Sequence, residues 1–268
     1  MLRSVSQPTL VVCVGLLPGH SRDNRRWRAG LSWLWRRREI ALLTLAAATI
    51  FSTRLAYLPK TLEDIDSVNF ELGVHRFYPF ADQPHPPGFP VFIAVAKAVH
   101  PWFESHATGL AFPSALFSAI AIFPLYVLFR HLVGRLPAAV ACALVLFNPI
   151  FWLNSVRPMT DITGFTIASG AQCLLVMAIA SPGGTHDRQP LIWSLGVFLA
   201  ALAVGVRLQA AALVGPVLAL GFFRLRPWRL HTIAVFTATC ALWMVPTVIA
   251  SGGVRRHFAR QVEVFAEA

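Results

Sequence analysis

Seven apolar segments divide this chain, near residues 39–58, 108–130, 137–154, 162–181, 190–206, 208–223 and 231–250, with short arginine-bearing breaks between most of them. A helix that crosses a bilayer needs about 20 such residues, fewer where neighbours shield its ends. The run 190–223 is apolar apart from Arg207 and Gln209 and is too long for one crossing, so two short helices are expected to meet at "GVRLQ". The reading is an all-α, polytopic transmembrane helix bundle of about seven spans. With 56% hydrophobic and only 13% charged residues, the chain is too apolar for an ordinary soluble domain.

The formal net charge of +11 comes from 21 Arg and two Lys against 12 acids, and the basic residues fall between apolar blocks, not on a solvated face. Nucleic acid is excluded as a partner on that ground. Eight Arg precede residue 39 with Asp23 as the one acid among them, which sets the N-terminus in the cytoplasm by the positive-inside rule. The connections at Arg130–Arg135, His186–Arg188 and Arg224–Arg229 then fall on the same side. Residues 59–107, the corner 155–161, the Arg207 hairpin and the tail from 251 fall outside, although that tail carries Arg255, Arg256 and Arg260 against the rule. Residues 1–38 are read as a basic cytoplasmic tail and 39–268 as one transmembrane domain of an integral protein of a bacterial inner or plasma membrane.

Cys13, Cys142, Cys173 and Cys240 lie too far apart for a metal knuckle or a disulfide framework. Arg54, about a turn from the end of the first span, is expected to reach the membrane interface.

Half of the acids, Glu63, Asp64, Asp66, Glu71, Asp82 and Glu104, sit in the loop 59–107. A loop of that length in a bundle is usually functional or carries short helices of its own, and the stretch 64–75 fits a short juxtamembrane helix. The acids are followed by "FADQPHPPGFPVF", where Pro84, Pro86, Pro87 and Pro90 stiffen the backbone and Gly88 permits a close approach. His85, with Gln83 beside it, is placed to bind an anionic group or to orient a carboxylate. The spacing is not that of a dedicated zinc or calcium loop, and no metal ligand is assigned.

"DSVNF" at 66–70 followed by "HPPGFPVF" at 85–92 resembles the GT-C glycosyltransferases, in particular the protein O-mannosyltransferase-like members of family 39 and their bacterial relatives. The resemblance implies transfer of a hexose, mannose being one option, from a polyprenyl-phosphate carrier to an external glycan, lipid or protein acceptor. The first-loop acid of that family is catalytic, and by position the role falls on Asp66, with Asp64 and Glu63 as competitors and Ser67 where several relatives carry a second acid. One carboxylate suffices as base for direct, inverting displacement. The departing phosphate needs a cation and the isoprenoid tail an apolar groove. Arg157 and Arg207, both at expected external helix ends, are the candidates for phosphate. Asp161 either pairs with Arg157 or caps the helix from Ile162, or it borders the substrate.

No cofactor is required, and a divalent cation is admissible. Relatives generally carry more than seven spans, so the reading "VEVFAEA" with no closing helix is that of a fragment or a truncated copy. A transporter or flippase, which would place its ionisable groups inside the spans, and a non-catalytic descendant of such an enzyme are the alternatives.

Overall fold

The computed structural model describes residues 23–180 and 189–267. The N-terminal tail up to residue 22, with Cys13, and the basic connection at His186–Arg188 lie outside the described residues. The described residues divide between Leu42 and Leu43 into two compact units. The long helix α1 (Asp23–Leu55) opens in the first and ends in the second.

Among the described residues all regular structure is helical, with no strand. Four helices among the described residues are long and apolar enough to cross a membrane: His106–Val133, Asp161–Ala180, Gln189–Val206 and Arg226–Ala250. The first of these joins α4 (His106–Ile120) to α5 (Ile122–Val133), and the last consists of a short turn and α11 (Arg229–Ala250). The pair α6 (Arg135–Leu146) and α7 (Pro149–Ser155) passes the same test only when taken together, and it bends by 60° at the break, the geometry of a broken span or of a re-entrant loop. All seven expected segments are helical, but two fall short of a full crossing. In α1 the charges at Glu39 and Arg54 bracket the apolar stretch. The other, α10 (Ala210–Arg224), has 15 residues, which reach about 22 Å against a hydrocarbon core of about 30 Å. It follows α9 (Gln189–Val206) through a break at Arg207–Gln209, where the hairpin was expected.

Arg54 does not reach an interface. It is 1% exposed and donates to the Leu146 carbonyl at 3.0 Å and to Ser155 Oγ at 3.2 Å, with its guanidinium 5.6 Å from the Trp152 ring centre. The α6–α7 break explains this. The Leu146 carbonyl would pair with the Ile150 N–H in a continuous helix, but that N–H donates to Asn148 Oδ1 instead, at 2.9 Å, and Pro149 has no N–H to offer Val145. Asn148 caps α7, and Arg54 takes up the carbonyl left over from α6.

Small residues hold the middle of the bundle. Ala168 and Ala171 of α8 (Asp161–Ala180), Ala200 and Ala203 of α9 and Ala210 of α10 form a buried cluster in which the backbones approach closely. Cys142 and Cys173 are buried free thiols, and Cys240 is also unbridged.

The loop 59–107 carries helices of its own, α2 (Ile65–His75) and α3 (Pro90–Val99). Phe70 and Val74 of α2, Phe92, Ile93 and Ala96 of α3, Leu110 of α4 and Val206 of α9 are packed together, so an apolar cluster ties this loop to the bundle. The chain past Ser251 also becomes helical, as α12 (Val254–Glu267), after a turn in which Gly252 and Gly253 adopt φ of 81° and 105°. The turn ends α11 by pairing Gly253 N–H with the Val248 carbonyl. The arginines of α12 fold back. Arg260 donates to Asp82 at 2.8 Å and to Glu263 at 3.2 Å, while the Arg256 guanidinium lies 5.8 Å from the Phe80 ring centre. The hydrogen bond to Asp82, first, and then that to Glu263 hold the Arg260 pKa above its ordinary value.

The docking of α12 includes a buried imidazole. His257 is 5% exposed, with Nδ1 3.0 Å from Ser251 Oγ and Nε2 2.9 Å from Gln261 Nε2. Ser251 Oγ–H donates to the Thr247 carbonyl, so it accepts from His257 Nδ1–H, and the amide of Gln261 donates to Nε2. A neutral ring fills every position, and burial pushes its pKa below the ordinary value. Because the folded value is the lower one, this contribution is complete above about pH 6.5 and is lost as pH falls through the folded value. Amide hydrogen-exchange protection in α12 is expected to drop over that window in the wild-type chain and to be flat with pH in His257→Gln. Equal pH dependence in both would remove His257 as the cause.

Candidate functional site

The first turn of α2 decides what its acids are free to do. Asp64 is the N-cap, with extended backbone (φ −131°, ψ 159°), and its Oδ1 accepts from the Ser67 N–H at 2.8 Å. Ser67 answers through its Oγ, 3.4 Å from the Asp64 N–H and 2.7 Å from the Asp64 carbonyl, and is fully buried. This is a capping box with Asp and Ser in the two roles, so Ser67 builds the helix start. The second oxygen of Asp64, Oδ2, faces Arg157 Nη2 at 3.7 Å. Glu63, Asp64 and Arg157 border one cavity of about 350 Å³ together with Tyr57 and Leu153.

Asp66 has no such commitment. It stands in the first turn, half-exposed, where the unpaired N–H groups of the helix favour a negative charge. Phe70, one helical turn later on the same face, packs against His85, ring centres 5.5 Å apart. His85 Nδ1 is 3.7 Å from Asp66 Oδ1, is itself buried and makes no hydrogen bond. The Asp-x-x-x-Phe spacing thus puts a carboxylate and an aromatic ring against the same histidine.

The proline elbow supplies that histidine. The Gln83–Pro84 and Pro86–Pro87 peptides are cis, and the Gly88 N–H closes a turn on the His85 carbonyl at 3.0 Å. Gly88, at φ +97°, passes so close to Pro79 and Thr247 that a Cβ would stand 3.0 Å and 3.3 Å from their side chains. Phe89 then holds His85 from the other side, ring centres 5.0 Å apart, and α3 begins at Pro90. Gln83 is engaged through its backbone, which pairs with Tyr78 in an isolated bridge, and its side chain is partly exposed beside the elbow.

Gly73 lets α2 seat on this elbow. A Cβ there would lie 2.6 Å from Pro84 Cδ and 2.8 Å from Pro84 N, and neither the proline ring nor the backbone can yield by rotation. Gly73→Ala is therefore expected to destabilise the chain by about 1–3 kcal/mol by overpacking, despite alanine's better helix propensity. Thermal unfolding in detergent checks it, and an unchanged or raised Tm would contradict the close approach.

Arg207 closes the site from the side of α9. It pairs with Asp161, the first residue of α8, which corrects the pairing with Arg157 and the cap on a helix from Ile162, since the helix starts at Asp161 itself and its partner is Arg207. Arg207 and Asp161 line a cavity of about 690 Å³ whose walls include Leu144, Phe151, Phe165 and Leu213. Arg207 also borders a second cavity of about 220 Å³ with Pro87, Phe89 and Trp243, on the side of the elbow. A mostly apolar groove between helices thus carries a guanidinium in its wall.

One group on the loop escaped the sequence reading. Near the C-terminal end of α2, Glu71 gathers His75, His100 and His106 around one carboxylate oxygen. The Glu71/His75 spacing of four on a helix was visible, but His100 and His106 join it only through the packing of α2, α3 and α4.

Residues 84–250 match the family of dolichyl-phosphate-mannose-protein mannosyltransferases, a match that begins at the elbow and ends with α11. No curated protein matches the chain. Among solved structures, ArnT from Cupriavidus metallidurans, crystallised bound to undecaprenyl phosphate, is similar in fold, with a TM-score of 0.57 at 17% identity over 79% of this chain. The chain spans 41% of that structure's length. The aligned stretch is more than half of the sequence, and the chain belongs to the dolichyl-phosphate-mannose-protein mannosyltransferase family, within the GT-C glycosyltransferases.

Proposed function

We propose that the chain works as an integral membrane glycosyltransferase that moves a hexose from a polyprenyl-phosphate carrier to an acceptor hydroxyl on the external face of the membrane. The observation that carries this reading is the division of labour on α2. Asp64 is consumed by capping, whereas Asp66 is half-exposed and faces the His85 imidazole at 3.7 Å. A carboxylate so held takes the proton of the acceptor hydroxyl as its oxygen attacks the anomeric carbon. The bond from that carbon to the phosphate oxygen breaks, the pair of electrons leaves with the polyprenyl phosphate, and configuration inverts. The proton then passes from Asp66 to water. His85, flanked by Phe70 and Phe89, orients the carboxylate.

The donor class is supported by the groove that Arg207 lines and by the undecaprenyl phosphate bound to the similar ArnT structure. Arg207 receives the leaving phosphate and the apolar walls take the isoprenoid chain. Arg157 lines a separate cavity with Glu63 and Asp64 of the loop. A transporter would keep a mid-helix charge available, whereas the buried Arg54 is engaged in holding the α6–α7 break.

Membranes carrying the wild-type chain, supplied with labelled polyprenyl-phosphate hexoses, are expected to lose label from the lipid, and membranes carrying equal amounts of Asp66→Asn are not. Loss of label at equal rates in both, or in neither, refutes the assignment.

A further inference from the structure

Four side chains that the transfer reaction does not use converge on one point. Glu71 and His75 lie one turn apart on α2, His100 follows the last residue of α3 and His106 is the first residue of α4. From Glu71 Oε1, His75 Nε2 is 2.9 Å away, His100 Nε2 3.0 Å and His106 Nδ1 2.7 Å, while His106 Nδ1 and His100 Nε2 are 3.2 Å apart. One ligand atom from each residue fits within a sphere of mutual separations no greater than 4.8 Å. We propose that Glu71, His75, His100 and His106 bind a zinc ion that pins α2 to α3 and α4.

Hydrogen bonding alone accounts poorly for this cluster. A neutral imidazole donates from one nitrogen only, so three N–H groups would have to crowd a single oxygen, two of them directed at each other across 3.2 Å. A cation accepts all four lone pairs at once. Tetrahedral zinc with bonds of about 2.0–2.1 Å sets ligand–ligand edges of about 3.3 Å, close to the His100–His106 separation.

The second observation is the state of Glu71. The residue is 8% exposed, and its Oε2 is buried with no hydrogen-bond partner. A buried carboxylate oxygen without a partner is costly, and a bound cation offsets that cost directly. Imidazole nitrogen with one carboxylate oxygen is a donor set that suits zinc better than magnesium or calcium, which prefer oxygen throughout. His75 and His106 are 57% and 60% exposed, so the ion can enter from solvent and the two rings can rotate to close on it.

Asp66 precedes Glu71 by five residues, about 7.5 Å along the helix axis. The ion is therefore a structural clamp on the helix that presents Asp66, and its binding does not depend on the transferase reading.

The test uses the full chain purified in detergent without a polyhistidine tag. Metal analysis of protein grown with added zinc is expected to give one zinc per chain. After chelation, zinc chloride at a hundredfold excess over Kd is expected to raise the Tm by roughly 5 °C or more. Cobalt in its place is expected to give the visible absorption of a four-coordinate site. In His75→Gln/His106→Gln, which changes only the two exposed ligands, stoichiometric zinc, the Tm shift and the cobalt spectrum are all expected to disappear while the metal-free Tm stays within a few degrees of wild type. A wild-type protein that carries no zinc and shows no Tm shift overturns the proposal, as does zinc retained by the double variant.

Discussion

Asp66→Asn is expected to lower hexose transfer by about 10²- to 10⁴-fold, the range that loss of a positioned general base produces. Asparagine keeps the size of the side chain and its place in the first turn of α2, so the lost capacity is the one to accept a proton. The missing negative charge at the helix start costs about 0.3–1 kcal/mol of stability, too little to unfold a bundle. The loss should therefore appear in kcat at nearly constant Tm and nearly constant donor KM. Asp64→Asn is the matched control. Asparagine caps a helix as well as aspartate does, so the Ser67 N–H remains paired and transfer should fall only a few-fold, through the weakened approach of Arg157. If instead Asp64→Asn abolished transfer and Asp66→Asn spared it, the base would be Asp64 and the capping argument would be wrong. His85→Ala is expected to fall between them, because the ring orients Asp66 across 3.7 Å and takes no proton from the acceptor.

Much of the fold was legible because a bilayer imposes a one-dimensional code. Runs of apolar residues mark helices wherever they occur, and the break at "GVRLQ" and the helices within the loop 59–107 followed from length alone. The number of full crossings was less legible, since α10 and the end of α1 are apolar but short of a bilayer's thickness. Arg54 was misread for a different reason. A long cationic side chain near a helix end ordinarily snorkels, and only the orphaned Leu146 carbonyl, created 92 residues away by Asn148 and Pro149, gives it a better partner inside. The ion pairs were likewise set by packing. Arg157 lies four residues from Asp161 in sequence yet faces Asp64, while Asp161 turns to Arg207 across the α8–α9 contact. The acids of the loop could be located by their concentration, but their division into a cap, a free carboxylate and a histidine-bound one required the geometry of α2. Ser67 shows this most directly. It occupies a position where several relatives carry an acid and here completes the hydrogen bonds of the helix start.

Arg207→Gln carries the second large effect, a fall in kcat/KM of about 10²- to 10³-fold, as for removal of one preorganised donor aimed at developing charge. Arg207→Lys should recover part of it, since an ammonium supplies the charge but not the two-pronged geometry that suits phosphate oxygens. The obvious competing account is that Arg207 merely neutralises Asp161, so that its removal leaves a repelling carboxylate in the wall of the groove. Both partners are about a third or more exposed, at 34% and 41% of the side chain, so their mutual attraction is screened and worth little to stability. A double-mutant cycle separates the two accounts. If Arg207 acts on Asp161 alone, Arg207→Gln/Asp161→Asn regains wild-type transfer. If Arg207 meets the departing phosphate, the double variant stays as slow as Arg207→Gln, Asp161→Asn alone is nearly as fast as wild type, and the deficit grows with leaving groups whose phosphate is more basic, because those depend most on a cation at the moment the bond breaks.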